Sequence, residues 1–227
     1  MLESGLDTLS TQLLDNRACR ELLTPLNDFE NAVFGPDFGC PASQVQPWFD
    51  SGCLLYAAVC GEAVAGHRRI LSVLSIFLTT TAERDRVLSG QAADYEMAPW
   101  QPGQPSEPTI YLSSVISAAP HHLLAMYGSL LQDARTFQEA RGVRCRTAFG
   151  VAAGPAGNRH LARSGFRLLE GSKYRGVYDL MVMDTASAAT PFWQGLLGSP
   201  APLAGRPGEA ALDRPPGLPI APRKKDY

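Results

Sequence analysis

The sequence lacks the features that mark several large classes of protein. Its 20 Lys and Arg nearly balance 22 Asp and Glu, and the net charge of −2 does not favour nucleic acid or an anionic membrane as the main partner. The longest uncharged apolar stretch, residues 70–81, is shorter than the roughly 20 residues that cross a bilayer. The start of the chain has acidic residues, Glu3 and Asp7, where a signal peptide carries basic ones. We therefore expect a cytoplasmic protein with no nucleic-acid and no membrane partner.

The cysteines do not form a recognisable metal or disulfide pattern. There are five of them, an odd number, and no two have the Cys-x-x-Cys spacing. This argues against both a disulfide framework and a zinc site, and favours reduced thiols in a reducing compartment. We expect no metal cofactor.

The chain contains enough apolar residues to fold. They make up 45% of its 227 residues, and charged residues make up 19%, so a sizeable core can be buried. From about residue 186 onward the composition becomes rich in Pro, Gly and Ala, which cannot offset the entropy of ordering. The sequence thus predicts one domain over residues 1–184 and a disordered tail over 185–227, in which residues 192–197 could form one short docked turn.

Periodicity predicts helices and a hairpin in the first half. Apolar residues recur at helical spacing or in strand-like runs, and Gly, Pro and Thr mark the ends. The predicted elements are helices at Leu2–Leu23, Asn27–Phe34 and Thr80–Ser89, a helix or turn at Ser43–Asp50, strands at Cys53–Cys60 and Ala63–Phe77 joined by a turn at Gly61-Glu62, and a short strand at Tyr95–Met97.

The second half alternates strands and helices. Strands are predicted at Thr109–Ser117, Val143–Val151 and Tyr174–Met183, with helices at His121–Arg141 and Pro155–Ser164 between them and a short extension at Phe166–Leu169. A strand–helix–strand crossover of this length implies a parallel pair. The fold class predicted is α/β (α+β), with a mixed, mostly antiparallel sheet of six or seven strands flanked by helices.

Three fragments in this order resemble the GCN5-related N-acetyltransferase (GNAT) superfamily. They are the strand Tyr111–Ser117, the strand Cys145–Gly150 after a helix of about 20 residues, and the segment Asn158–Phe166. The last ends in Gly165-Phe166 just before a strand, which is the most recognisable fragment. The resemblance covers about 75 residues and implies an acyl-CoA acyltransferase fold.

The resemblance implies acetyl-CoA as the acyl donor and suggests where it would bind. A pantetheine arm can hydrogen-bond to strand backbone exposed between two splayed parallel strands, and a pyrophosphate suits a helix N-terminus. The implied cofactor-binding residues fall on the first strand, the start of the long helix and the short helix: Val115, Ile116, Ser117, His122, Leu123, Leu124, Ala125 and Asn158.

Two positions depart from the family pattern. The phosphate-binding loop usually has the form Gln/Arg-x-x-Gly-x-Gly/Ala, whereas residues 120–129 here lack the arginine or glutamine and the first glycine, and retain only Gly128-Ser129. His121 and His122 are alternative phosphate donors. The tyrosine that often protonates the leaving thiolate is replaced by Leu161, so Tyr174, Tyr178, Tyr127, a serine or water would take that role.

The predicted catalytic residues are Glu96, Ser114 and Tyr174. Amine acylation needs a base, and Glu96 precedes a loop at the expected acceptor cleft, with Glu107 as the alternative. Alternation directs either Ser113 or Ser114 toward the cleft. His160 is a further candidate beside Leu161.

The predicted function is transfer of an acetyl or other acyl group from acetyl-CoA to a primary amine by direct attack. The acceptor is a small molecule or a peptide, and a homodimer is compatible with the sequence. Two alternatives remain open: a catalytically silent binding module of the same fold, and an enzyme whose donor is an acyl-carrier protein.

Overall fold

Seven strands form one mixed sheet with helices on both sides. The computed structural model of the protein describes residues 11–35, 38–64 and 67–198. The strands are β1 (Gln12–Leu14), β2 (Leu54–Val64), β3 (His67–Thr80), β4 (Pro108–Ile116), β5 (Thr147–Ala152), β6 (Arg167–Tyr174) and β7 (Tyr178–Asp184). They are ordered β1-β2-β3-β4-β5-β7-β6, and within the described residues only the β4–β5 pair is parallel. The predicted fold class is confirmed.

Seven α-helices accompany the sheet in the part of the chain that the structure describes. They are α1 (Asn16–Cys19), α2 (Leu23–Phe34), α3 (Ala42–Asp50), α4 (Thr81–Leu88), α5 (Pro120–Arg141), α6 (Pro155–Ser164) and α7 (Pro191–Leu197). Helix α5 is the crossover that joins the two parallel strands, because a parallel pair cannot be joined by a tight turn.

Local signals mark the helix ends as the sequence predicts. The Thr80 hydroxyl accepts a hydrogen bond from the Glu83 amide (3.1 Å) and caps α4. Helices α5 and α6 begin at a proline, where a missing amide hydrogen costs no helical bond, and each is followed by a glycine in the left-handed conformation, Gly142 and Gly165.

Two predictions in the first half are wrong where tertiary pairing overrides local pattern. The helix predicted over Leu2–Leu23 contains strand β1, which pairs along the edge of β2 and buries Leu14; residues 2–10 lie outside the described residues. The predicted turn at Gly61-Glu62 lies within β2, where the register shifts between Cys60 and Ala63, so Gly61 belongs to a bulge. The hairpin closes between Val64 and His67.

Two further predictions in the second half are wrong. The expected strand at Tyr95–Met97 is a 3-10 helix, Asp94–Glu96, because the Glu96 carboxylate accepts the Ala93 amide (2.8 Å) and closes the turn. The expected single strand Tyr174–Met183 is a hairpin: Tyr174 ends β6 and pairs with Tyr178 at the start of β7.

Part of the predicted tail belongs to the folded body. Helix α7 lies after residue 184 and buries Phe192, Trp193, Leu196 and Leu197 in the same core as the sheet. The boundary at residue 184 is therefore too early, and the docked turn suggested for residues 192–197 is a helix. Residues 199–227 lie outside the described residues, and the character of this tail stays a prediction.

Candidate active site

A cleft opens where the two parallel strands separate. β4 and β5 pair only from Ile110 opposite Ala148 to Leu112 opposite Gly150. Beyond this point β4 stays paired with β3 and β5 with β7, so the facing backbone edges of β4 and β5 diverge. The cleft has a volume of about 580 Å³ and is lined by parts of α2, the loop after it, β4, β5 and α6.

A bulge in β4 turns two serines toward this cleft. The pairing of β3 with β4 shifts by one residue between Ser75 and Ile76, which leaves Ser113 as the extra residue of β4. Ser113 and Ser114 both line the cleft. The sequence predicted that only one of them would, because strict alternation places neighbours on opposite faces.

Glu30 of α2 places a buried carboxyl group in the cleft. Its Oε2 accepts a hydrogen bond from the Tyr56 hydroxyl (2.8 Å), and its Oε1 accepts one from Ser75 Oγ (3.2 Å). The Ser114 hydroxyl is also hydrogen-bonded to it. Burial raises the pKa of Glu30, although these hydrogen bonds oppose the shift. Such a carboxyl titrates closer to neutrality than an exposed one, which suits a base or an acid in catalysis.

A second buried carboxylate, Asp94, lies in the cleft between two tyrosines. Tyr111 donates to its Oδ2 (2.6 Å) and Tyr174 to its Oδ1 (2.7 Å), and the Tyr95 amide donates to Oδ1 as well (2.9 Å). Burial, followed by the charge of Asp94, raises the pKa of both donating tyrosines. Both hydroxyls therefore remain protonated near neutral pH and hold Asp94 in place.

Cys40 lies in the loop between α2 and α3 and lines the cleft. Asn27 and Asn31 of α2 both donate to its carbonyl oxygen (3.3 Å each), which fixes the loop on the helix. Burial, with smaller effects of the Asp94 and Glu30 charges, raises the pKa of the Cys40 thiol to about 12. The thiol is therefore protonated at neutral pH and is a poor nucleophile.

On the α6 side of the cleft, His160 forms a pair with Tyr127. The Tyr127 hydroxyl and His160 Nε2 are 2.7 Å apart, and their rings stack with centroids 6.0 Å apart. Burial, followed by the nearby charge of Arg163, lowers the pKa of His160, so the imidazole is neutral at pH 7. Burial also raises the pKa of Tyr127, so both groups are neutral at pH 7 and share one hydrogen bond.

The first turn of α5, where the sequence predicts phosphate binding, makes hydrogen bonds within the protein. The amides of His122 and Leu123 both donate to the Ala119 carbonyl (3.1 and 3.4 Å). The His122 ring is buried, and its Nδ1 lies 2.9 Å from Ser72 Oγ of β3. Leu124 and Ala125 project from the exposed side of the helix. The His122 side chain thus anchors α5 on the sheet, and phosphate binding by residues 122–125 stays a prediction.

Three of the other predicted cofactor residues lie on β4 or next to it, whereas the fourth, Asn158, does not line the cleft. Val115 and Ser117 line the cleft, and Ile116 is the last residue of β4. Asn158 of α6 donates through Nδ2 to Asp179 Oδ2 (2.5 Å). Its buried Oδ1 has no hydrogen-bond partner among the described residues, and cofactor binding by Asn158 stays a prediction.

Of the predicted catalytic residues, Ser114 lies in the cleft and the other two do not line it. Glu96 is exposed, and its carboxylate caps its own 3-10 helix. Tyr174 is buried and donates its hydroxyl to Asp94. Among the described residues that line the cleft, the acidic ones are Glu30 and Asp94.

Both acidic residues were missed by sequence reasoning, but one left a signal. Glu30 takes a position of α2 where an apolar residue is expected, because it follows the helical spacing of the buried face. The other residues of this face are Leu23, Leu26 and Asn27. A carboxylate on such a face must be paired or functional. Asp94 lies in an irregular segment and has no comparable pattern.

Two further kinds of site, a metal centre and a membrane-spanning helix, were sought among the described residues. No group of three or more His, Cys, Asp and Glu side chains in residues 11–35, 38–64 and 67–198 is placed to hold a metal ion. No helix in these same ranges has the length and apolar character to span a membrane.

Comparisons with known proteins found structural likeness only. No family model and no curated protein sequence matches the chain. Similar solved structures include NAA60 of Arabidopsis thaliana in complex with acetyl-CoA (11% identity, TM-score 0.47, 76% of this chain and 96% of that one). Others are FeeM, an N-acyl amino acid synthase from uncultured soil microbes (9%, 0.45, 83% and 96%), and a GNAT-family acetyltransferase from Streptococcus agalactiae (15%, 0.38, 78% and 96%). At these identities and scores, none of them assigns an activity to this chain.

Proposed function

We propose that this protein is an N-acyltransferase of the GNAT type, which transfers an acyl group from a CoA thioester to a primary amine. The observation that carries the proposal is the divergence of β4 from β5 beside a buried carboxyl group. The divergence supplies exposed backbone for a pantetheine arm, and Glu30 touches Ser114 on the same stretch of β4.

The donor binds along the β4 side of the gap. Backbone groups of residues 115–117 pair with the pantetheine amides like an added strand. The thioester carbonyl then lies near the bulge at Ser113, where the cleft begins.

Glu30 is the base that makes the acceptor nucleophilic. The amine nitrogen attacks the thioester carbonyl carbon, a carbon–nitrogen bond forms, and the carbon–sulfur bond breaks. Glu30 takes the proton that the nitrogen loses, and its raised pKa matches it to that role. The thiolate leaves and takes its proton from water, since the family's tyrosine position holds Leu161 and a thiol has an ordinary pKa of about 8.5.

The test compares two glutamates. Glu30→Gln keeps the size of the side chain and is expected to lower kcat by about 10²–10⁴-fold, the usual contribution of a general base. Glu96→Gln, the base expected from sequence, should leave kcat unchanged, since Glu96 does not line the cleft. Release of free thiol from acetyl-CoA and longer acyl-CoAs, measured with a panel of amines, reports the activity.

Calorimetric titration with acetyl-CoA separates this enzyme from its alternatives. Both variants should bind the donor as the wild type does. Absence of binding at millimolar acetyl-CoA would refute a CoA-dependent enzyme, and transfer from an acyl-carrier protein alone would identify that protein as the donor. Binding without turnover on any amine would identify a silent binding module. Equal loss of activity in both variants would remove Glu30 as the base.

A further inference from the structure

The turn between β6 and β7 holds an arginine in a backbone conformation that disfavours it. Arg175 has φ 48° and Gly176 has φ 74°, and the Val177 amide donates to the Tyr174 carbonyl (3.1 Å). These are the features of a type I′ turn, whose first central position favours Asn, Asp or Gly. Among the described residues, Arg175 is the one non-glycine residue with a positive φ. Strain of this kind concentrates at functional sites.

The same turn places the guanidinium beside two tyrosines, one of which lines the cleft. The Cζ atom of Arg175 lies 5.7 Å from the ring centroid of Tyr95 and 5.3 Å from that of Tyr174. Tyr95 lines the cleft, and Tyr174 holds Asp94 within it. Arg175 is exposed and takes part in none of the ion pairs found among the described residues. Its positive charge is therefore available to a ligand at the rim.

The charged groups differ between the interior of the cleft and its rim. Two carboxyl groups, Glu30 and Asp94, lie buried inside it, and a cation stands at its rim. An amine suits the inner end, since it can give a proton to a carboxylate. A carboxylate suits the rim, because the planar guanidinium binds it through two parallel hydrogen bonds.

We infer that the acceptor is an amino carboxylate, a small molecule with an amine and a carboxylate, and that Arg175 binds its carboxylate. The inference rests on the proposed function and narrows its acceptor. It also explains the turn: an asparagine would fit the backbone better, but it would carry no charge.

Arg175→Asn separates a role in the turn from a role in binding. Asparagine suits a positive φ, so the variant should be at least as stable as the wild type. The probes are pairs of an amino acid and its decarboxylated amine: phenylalanine with 2-phenylethylamine, leucine with 3-methylbutylamine, lysine with cadaverine, and glutamate with 4-aminobutyrate. Thiol release from acetyl-CoA gives KM and kcat, and calorimetry gives binding to the CoA-saturated protein.

We expect the wild type to prefer the amino acid in at least one of the first three pairs. Arg175→Asn should raise the KM for that amino acid between about tenfold and a hundredfold, the range for a lost hydrogen-bonded charge pair, and leave the KM for the amine unchanged. Arg175→Lys should recover part of the loss. Arg20→Asn is the matched control, because Arg20 also lies over an aromatic ring, Phe49 (5.4 Å), but that ring does not line the cleft as Tyr95 does.

Two results would overturn the inference. One is an equal change for both members of each pair in Arg175→Asn; the other is a wild type that binds and acylates none of the amino acids. The proposed function fails separately, when the wild type does not bind acetyl-CoA at all. Acylation of the simple amines with no effect of Arg175 would leave the enzyme intact and remove only the amino carboxylate.

Discussion

Removal of α7 is expected to unfold the domain, although composition assigns this segment to a tail. A variant ending at residue 184 loses the four large buried side chains of α7, and Trp193 among them is 0% exposed. Trp193 packs edge-on against Phe166 (5.2 Å between centroids). Burying a large apolar side chain contributes about 1.5–3 kcal/mol, so the four together contribute about 6–12 kcal/mol.

Polar contacts add to this loss. The Ala189 amide donates to the Ser164 carbonyl (3.1 Å), and Gln138 Nε2 donates to the Leu196 carbonyl (3.2 Å). Because the whole free energy of unfolding of a domain is about 5–15 kcal/mol, the shortened chain should have little or no stability left.

The assay is urea unfolding followed by circular dichroism. A variant ending at residue 198 should unfold with the midpoint of the full chain, whereas the variant ending at residue 184 should show no cooperative transition. Trp193→Ala, which keeps the helix, should cost about 3–5 kcal/mol. A cooperative transition of the shorter variant at the urea midpoint of the full chain would refute this reasoning and restore the boundary at residue 184.

Two further predictions concern single residues. Gly165→Ala should lower the free energy of unfolding by about 2–6 kcal/mol, because φ is 103° and the new Cβ would lie 1.9 Å from the Ser187 carbonyl oxygen. Gly128→Ala should instead raise the free energy of unfolding by about 1 kcal/mol, because a Cβ at this position meets nothing within 4 Å. Chemical denaturation measures both, and equal effects would contradict the clash. Glu30→Gln should gain stability relative to the wild type as pH rises. Between the ordinary pKa of 4.5 and the raised pKa of the folded protein, Glu30 is protonated in the folded state and ionised in the unfolded state, so the wild type loses stability as pH rises through this range. A difference in the free energy of unfolding between the two proteins that does not change from pH 4 to 8 would contradict this.

A protonated Glu30 at low pH also predicts the direction of the activity profile. The base form is needed for transfer, so kcat should rise with pH through the raised pKa of Glu30 and then level off. The groups hydrogen-bonded to it are the neutral hydroxyls of Tyr56, Ser75 and Ser114. A pH profile that Glu30→Gln leaves unchanged in shape would assign the titration to another group.

The sequence by itself determined the elements whose signals are local. Helices α4 and α6 begin and end at the expected residues to within one position, because Thr80 caps one and Pro155 and Gly165 bound the other. The run of β-branched and aromatic residues in β4, the long helix α5 and the strand β5 follow in the expected order, which was enough to predict a parallel pair and a mixed sheet.

Only the tertiary structure decided which residues meet. Leu13 and Leu14 are compatible with a helix or a strand, and they form a strand because they pair with the edge of β2. The composition of the α7 segment predicts a tail, but its aromatic side chains pack in the core and the helix contacts α5. Glu96 and Asp94 are two residues apart, yet Tyr111 and Tyr174 draw Asp94 into the cleft while Glu96 faces solvent. Caps and periodicity act within a few residues and can be read along the chain, whereas these contacts join residues up to 80 positions apart and form only when the sheet is assembled.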